Sequence, residues 1–167
     1  MVDYIEPEQA VAVVAHLGLH VRDKGLLFSA LARPAAGMFG EDAYAARELK
    51  AAALMSSLAQ NHALFDGNKR LSWILTLAFL RLNGFRVVMP TDEAFDFVIA
   101  VAQSQLELEE IASTLARHLV ATTPRPAPPS ASTEKVDFGK EGRVVADGTA
   151  DLDDSERRSA AHRVTRP

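Results

Sequence analysis

The sequence predicts an all-α fold: a compact helical bundle around a central apolar helix, followed by a disordered C-terminal tail. Three observations carry this expectation. Across residues 1–120, apolar side chains recur at three- and four-residue intervals in one segment after another. Residues 71–80 are apolar on nearly every side, as a helix enclosed by its neighbours must be. After Val120 the composition changes abruptly, with four of the chain's eight prolines packed into six residues before a polar stretch runs to the end.

Each element has its own signals. Pro7 suits a first helical turn, Val11, Val14 and Ala15 give that helix an apolar face up to about Leu17, and Gly18 closes it. A second helix is expected over 25–32, ending near Arg33 and Pro34. The Gly- and Pro-bearing stretch 34–40 then reads as an ordered loop or flap. Residues 42–60, rich in Ala and Leu, predict a long helix that packs on the core through Leu49, Ala52, Ala53, Met55 and Leu58. The next helix, 68–82, contains Trp73, Ile74, Leu75, Leu77 and Phe79 and is the one expected at the centre. Asn83 and Gly84 supply its left-handed stop, 85–89 a brief extended piece, and Thr91 an N-cap for a helix to about Gln103 with Asp92 and Glu93 in its first turn. A last helix is expected over 109–119. The domain is therefore placed at 1–120 and a Pro-rich linker with a polar tail at 121–167. That tail holds eight acidic and eight basic residues and a single aromatic, Phe138, which is too little apolar surface to order it. A short helix near 153–162 is the one element it could form.

Composition excludes several kinds of function. At 167 residues the chain can bury one sizeable core. An apolar fraction of 48% and a charged fraction of 24% are those of an ordinary soluble domain. The net charge of -4 offers no global attraction to nucleic acid or anionic lipid, so no direct nucleic-acid binding is expected and any polyanion site must be local. With no cysteine, disulfides, thiolate nucleophiles and Cys-based zinc sites are all ruled out. The start MVDYIEPEQA lacks the pattern of a secretory signal, and the apolar run 73–80 is too short to span a bilayer, so no membrane association and a cytoplasmic location are expected.

Most of the reactive side chains fall in ten positions, 61–70. Asp66-Gly67-Asn68 is a turn signal that feeds directly into the apolar helix, whose first N–H groups have no intrahelical partner. Gly67 would let a phosphate approach the backbone, and Asn68, Lys69 and Arg70 begin the helix beside the positive end of its dipole. Asp66 adds a hard oxygen ligand suited to Mg²⁺ bridging the phosphates of a nucleotide. His62, four residues earlier, carries the side chain of this segment that exchanges a proton near neutral pH, and so is the candidate general base. Each feature alone has an ordinary reading: a packed histidine, a solvated Lys-Arg helix start, a turn with its cap. Together they place a base, a metal ligand, an anion seat and two cations around one helix N-terminus, and they point to phosphoryl or nucleotidyl transfer.

The run from His62 to Arg70 resembles the motif of the Fic/Doc family: His-Pro-Phe, two variable residues of which the second is often acidic, then Gly-Asn-Gly-Arg. Lys69 stands in place of the second glycine, as in the Doc form. The motif Phe is Leu64 here, with Phe65 beside it, so either side chain could anchor the loop. The resemblance extends over about 3–120, with the segments 4–8, 31–34 and 80–84 also similar to Doc. It implies a toxin of a toxin–antitoxin pair that uses ATP and Mg²⁺ to phosphorylate a threonine of elongation factor Tu and arrest translation, restrained by a small antitoxin protein at the active site. By position it implies His62 as catalytic base, with Lys69 and Arg70 also catalytic, Asp66 as metal ligand, and Gly67, Asn68, Lys69 and Arg70 as nucleotide contacts. Fic relatives transfer AMP instead, but the further arginine many of them carry three residues after the motif Arg is Trp73 here. The chain also lacks the self-inhibitory pattern of Ser or Thr, three residues, then Glu or Asp followed by Gly or Asn on a helix. A helical binding module without catalysis is the alternative from another class, and the joint presence of His62, Asp66, Asn68 and Arg70 weighs against it.

Overall fold

The computed structural model describes residues 1–122. The expectations for the rest of the tail, including its disorder, the short helix at 153–162 and any contact through Phe138, lie outside the described residues. In chain order the elements are α1 (Pro7–His16), α2 (Lys24–Ala32), a 3₁₀ turn (Arg33–Ala35), β1 (Gly37–Met38), β2 (Glu41–Asp42), α3 (Arg47–Gln60), α4 (Asn68–Leu82), β3 (Phe85–Val87), α5 (Thr91–Ala102), α6 (Leu108–Arg117) and β4 (Leu119–Ala121). The strands form two small antiparallel pairs, β1 with β2 and β3 with β4, so the fold is the expected all-α bundle. Among the described residues no helix is long and apolar enough to cross a membrane.

Local chemistry sets the helix ends. Pro7 opens α1 behind a capping box in which Glu6 and Gln9 satisfy each other's backbone N–H groups. The Asp23 carboxylate accepts from the Leu26 N–H at 3.0 Å and caps α2. Three ends differ from the sequence expectation. The helix expected from residue 42 begins at Arg47, because Glu41 and Asp42 are drawn back to pair with Met38 and Gly37 in a hairpin. Thr91 is not the N-cap of α5 but its first helical residue; the cap is Pro90, extended at ψ 146 and without a side chain to contribute. The last helix stops at Arg117 and not at 119, since Leu119–Ala121 pair with Phe85–Val87. Bonds from Val88 N–H to the His118 carbonyl and from Thr122 N–H to the Gly84 carbonyl, both 2.8 Å, extend that ladder at its two ends. Ala121, which composition assigns to the tail, is thus the last residue of a strand.

The centre of the bundle is α3, not α4. Ten consecutive residues of α3, Lys50 through Ala59, are buried on every side, and six of these are alanine or serine. Such small side chains let helices approach the backbone closely from all directions, which a helix of large apolar residues does not allow. In α4 the buried residues are Leu71, Ser72, Leu75, Thr76, Phe79 and Leu80. Trp73, Ile74, Leu77 and Ala78 remain half-buried, with Trp73 meeting the Phe97 ring of α5 edge-on at 6.4 Å.

Lys50 is the buried exception in this apolar centre, at 1% exposure. Its ammonium donates to the Pro34 carbonyl at 3.1 Å and to the Asp42 carboxylate at 2.9 Å, so it ties the β1–β2 hairpin to α3. Burial, the largest single influence, pulls the Lys50 pKa down. The bonds to Asp42 and Tyr4 outweigh it, and the net value lies above the ordinary one. A raised lysine pKa contributes stability that is fully present below the unfolded value and is lost as pH climbs through the folded one. The tether therefore holds at neutral and mildly alkaline pH. Lys50→Met is expected to release the hairpin, raising its proteolysis several-fold, and to lower the melting temperature only modestly, because Asp42 is 58% exposed and returns to water while the Pro34 carbonyl loses its donor. Unchanged protection of residues 37–42 in the mutant would show that the hairpin holds itself in place.

Candidate active site

His62 follows Asn61, the C-cap of α3, and takes the left-handed conformation at φ 51. That position at a helix end usually falls to glycine, because a Cβ there costs backbone energy. The residue is exposed, so no packing contact explains the imidazole at this point. The strained turn sets the side chain at the mouth of the loop that links α3 to α4.

The loop itself is held from both sides. Asn68, the first residue of α4, grips Leu64 with its whole amide: Oδ1 accepts from the Leu64 N–H at 2.9 Å and Nδ2 donates to the Leu64 carbonyl at 3.0 Å. From the other side, the N–H groups of Arg22 and Asp23 donate to the Ala63 carbonyl at 2.9 and 3.0 Å, and that of Phe65 donates to the His20 carbonyl at 3.2 Å. Leu64 is 2% exposed and Phe65 74%, so Leu64 is the side chain that anchors the loop. Gly67 then turns the chain at φ 82 into α4, and a Cβ here would come within 2.7 Å of a Leu19 methyl. Gly67 caps the helix without a side chain, leaving the N–H groups of the first turn of α4 uncovered at the positive end of its dipole.

His62, Phe65, Asp66, Gly67, Asn68 and Lys69 line one pocket of about 320 Å³, closed on its far side by Ala59 of α3 and by Ile99, Ala102 and Gln103 at the end of α5. The ion pairs among the described residues are Arg47–Glu48, Lys50–Asp42 and His118–Glu93, so Asp66, Lys69 and Arg70 spend no charge on a protein partner there. No group of three or more His, Cys, Asp or Glu stands together among the described residues. The donor set thus suits a cation held by one carboxylate and the phosphates of a ligand, the usual manner of Mg²⁺, and not a cage made by protein alone.

Residues 4–80 match the model of the Fic/DOC family. Over 121 residues the chain is 44% identical to Toxin Doc of Mycolicibacterium smegmatis, an alignment that takes in 70% of this chain and 93% of that protein. The chain belongs to the Fic/DOC family. The Fic/DOC motif accordingly falls on the loop and helix start just described, and five of the six candidate residues, His62, Asp66, Gly67, Asn68 and Lys69, share one pocket. The sixth, Arg70, instead lines a neighbouring groove between α4 and α5. Sequence reasoning did not find the α5 wall of the pocket, since Ile99, Ala102 and Gln103 carry no local signal of a site and lie beyond the matched segment. Nor did it find the buttress at 20–23 or the clasp that Asn68 makes with Leu64.

Proposed function

We propose that this protein is a Doc-like toxin of a toxin–antitoxin pair, an enzyme that transfers the γ-phosphoryl group of ATP to a protein hydroxyl, with a threonine of elongation factor Tu as the target. One observation carries the reading: a base at His62, a hard ligand at Asp66, the uncovered N-terminus of α4 and Lys69 all face a single pocket. The likeness to a protein named Toxin Doc supports the toxin assignment. In the proposed step the substrate hydroxyl passes its proton to the His62 imidazole while its oxygen bonds to the γ-phosphorus. The bond from that phosphorus to the β–γ bridging oxygen breaks, and ADP leaves. The first-turn N–H groups of α4 and Lys69 steady the charge on the transferred group. Asp66 would hold Mg²⁺, which when bound would supply further charge neutralisation. Lys69 in the place of the second motif glycine, and Trp73 in the place of an arginine, favour phosphoryl over AMP transfer.

Purified protein incubated with Mg-ATP and elongation factor Tu is expected to incorporate label from γ-labelled ATP and none from α-labelled ATP. Retention of the α label would instead establish AMP transfer. Restraint by a small antitoxin protein covering the pocket completes the reading, because the chain has no self-inhibitory helix motif of its own.

A further inference from the structure

The pocket of His62 has two chemical faces. Asp66, Gly67, Asn68 and Lys69 suit phosphates and a cation, whereas Phe65, Ala59, Ile99 and Ala102 give it an apolar wall. Phosphates have no use for that wall, and within it Phe65 calls most for an explanation, since it leaves 74% of its surface in water. The backbone puts it there. Leu64 forms an antiparallel bridge with Val21, and the Phe65 N–H donates to the His20 carbonyl at 3.2 Å. Adjacent residues on strand-like backbone point to opposite sides. With Leu64 buried as the anchor of the loop, Phe65 is turned out to the pocket, three residues after His62 and one before Asp66. The main-chain bond that holds it there is open to any residue but proline, so the loop keeps its shape without the ring.

We infer that Phe65 is a specificity-determining residue for the acceptor protein: its ring receives an apolar side chain two positions away from the acceptor hydroxyl. The inference rests on the phosphoryl-transfer reading and deepens it by naming the class of acceptor segment. With the phosphates on the first turn of α4 and Lys69, the hydroxyl has to come to His62 from the solvent side. His62 and Phe65 are both exposed there and line the same pocket. In an extended segment the side chains on one face recur every two residues, about 7 Å apart. His62 and Phe65 are three residues apart, so their Cα atoms are separated by no more than about 11 Å. A hydroxyl held at the imidazole thus brings the side chain two positions away within reach of the ring. An apolar side chain there would cover Phe65 on binding, and a polar one would leave it wet. Covering a large apolar side chain in this way is worth on the order of tenfold in affinity.

The test uses the full-length protein and two synthetic threonine peptides, one with leucine two positions to either side of the threonine and one with serine at both places. With γ-labelled ATP, wild type is expected to favour the leucine peptide on the order of tenfold in kcat/KM, the difference lying in KM. Phe65→Ala is expected to raise KM for the leucine peptide alone, so that the two peptides become equivalent, and Phe65→Leu to keep most of the preference. Unchanged binding of Mg-tripolyphosphate to both variants would show that the loop is intact and that the effect belongs to the ring. Equal use of the two peptides by wild type, or an undiminished preference in Phe65→Ala, would overturn the inference. So would failure of wild type to label either peptide while it binds Mg-tripolyphosphate, because the acceptor would then be read as a folded surface and not as a segment. A Phe65→Ala protein with weaker Mg-ATP binding and an unaltered peptide preference would assign the ring to the nucleotide and sink the proposal. Label arriving from α-labelled ATP, with the leucine preference present and dependent on Phe65, would remove the phosphoryl-transfer reading and leave the role of Phe65 standing.

Discussion

Replacing His62 with glycine is expected to slow transfer by a factor of about 10² to 10⁴, the usual worth of a positioned acid–base group, while the melting temperature stays level or rises slightly. The two halves of this expectation come from one turn. At φ 51 a histidine pays for a backbone conformation that glycine adopts freely. Its exposed imidazole makes no buried contact whose loss would offset that relief. His62→Ala should lose activity equally but gain no stability, because alanine keeps the Cβ that the left-handed turn disfavours. Initial rates with γ-labelled ATP and thermal melts on the three proteins decide the matter. A His62→Gly protein that transfers within about threefold of wild type would remove His62 from the role of base, and a drop in melting temperature of several degrees would mark it as a structural cap.

The contrast between what was legible and what was not follows the range of the interactions involved. Helices α1, α2 and α4 could be read because their signals are local: Pro7 at a first turn, Gly18 at φ 66 and Gly84 at φ 83 just past two helix ends, and an apolar period between. The late start of α3 could not, because Glu41 and Asp42 have nothing in their own sequence that opposes a helix. They are taken out of it by pairing with residues 37–38 and by the distant ammonium of Lys50. The strand at 119–121 escaped for the same reason, since its partner lies more than thirty residues away. Even the choice of central helix turned on this difference: apolarity marks α4, but the side chains small enough to be surrounded belong to α3. The candidate site was legible where its polar side chains cluster in sequence, since five of the residues within 62–70 that were singled out line one pocket. Its far wall was not, because Ile99, Ala102 and Gln103 carry no local signal and line the pocket only because the fold brings the end of α5 against the loop.

Asn68→Ala is expected to cost both stability and activity, in contrast to the substitution at His62. The family resemblance implies a phosphate contact for Asn68, yet in the structure its side chain closes a ring with Leu64, and only one amide hydrogen remains for a ligand. Alanine would leave the Leu64 N–H and carbonyl without partners beneath a side chain that is 2% exposed. At about 1 to 3 kcal/mol for each unsatisfied buried group, partly recovered by water entering the opened loop, the loss should come to about 2 to 4 kcal/mol. For a domain of this size that corresponds to a melting temperature lower by about 10 °C. The loop 64–67 would then lose its shape, and with it the approach to the first N–H groups of α4, so transfer should fall together with stability. Asn68→Asp separates the two contributions. It keeps an oxygen to accept from the Leu64 N–H but turns a second oxygen toward the Leu64 carbonyl and adds a negative charge at the anion seat. Its melting temperature should fall between those of wild type and Asn68→Ala, with Mg-tripolyphosphate binding weaker than in either. An Asn68→Ala protein that melts within about 2 °C of wild type but no longer binds tripolyphosphate would show that the clasp is incidental and that Asn68 acts as a direct phosphate contact.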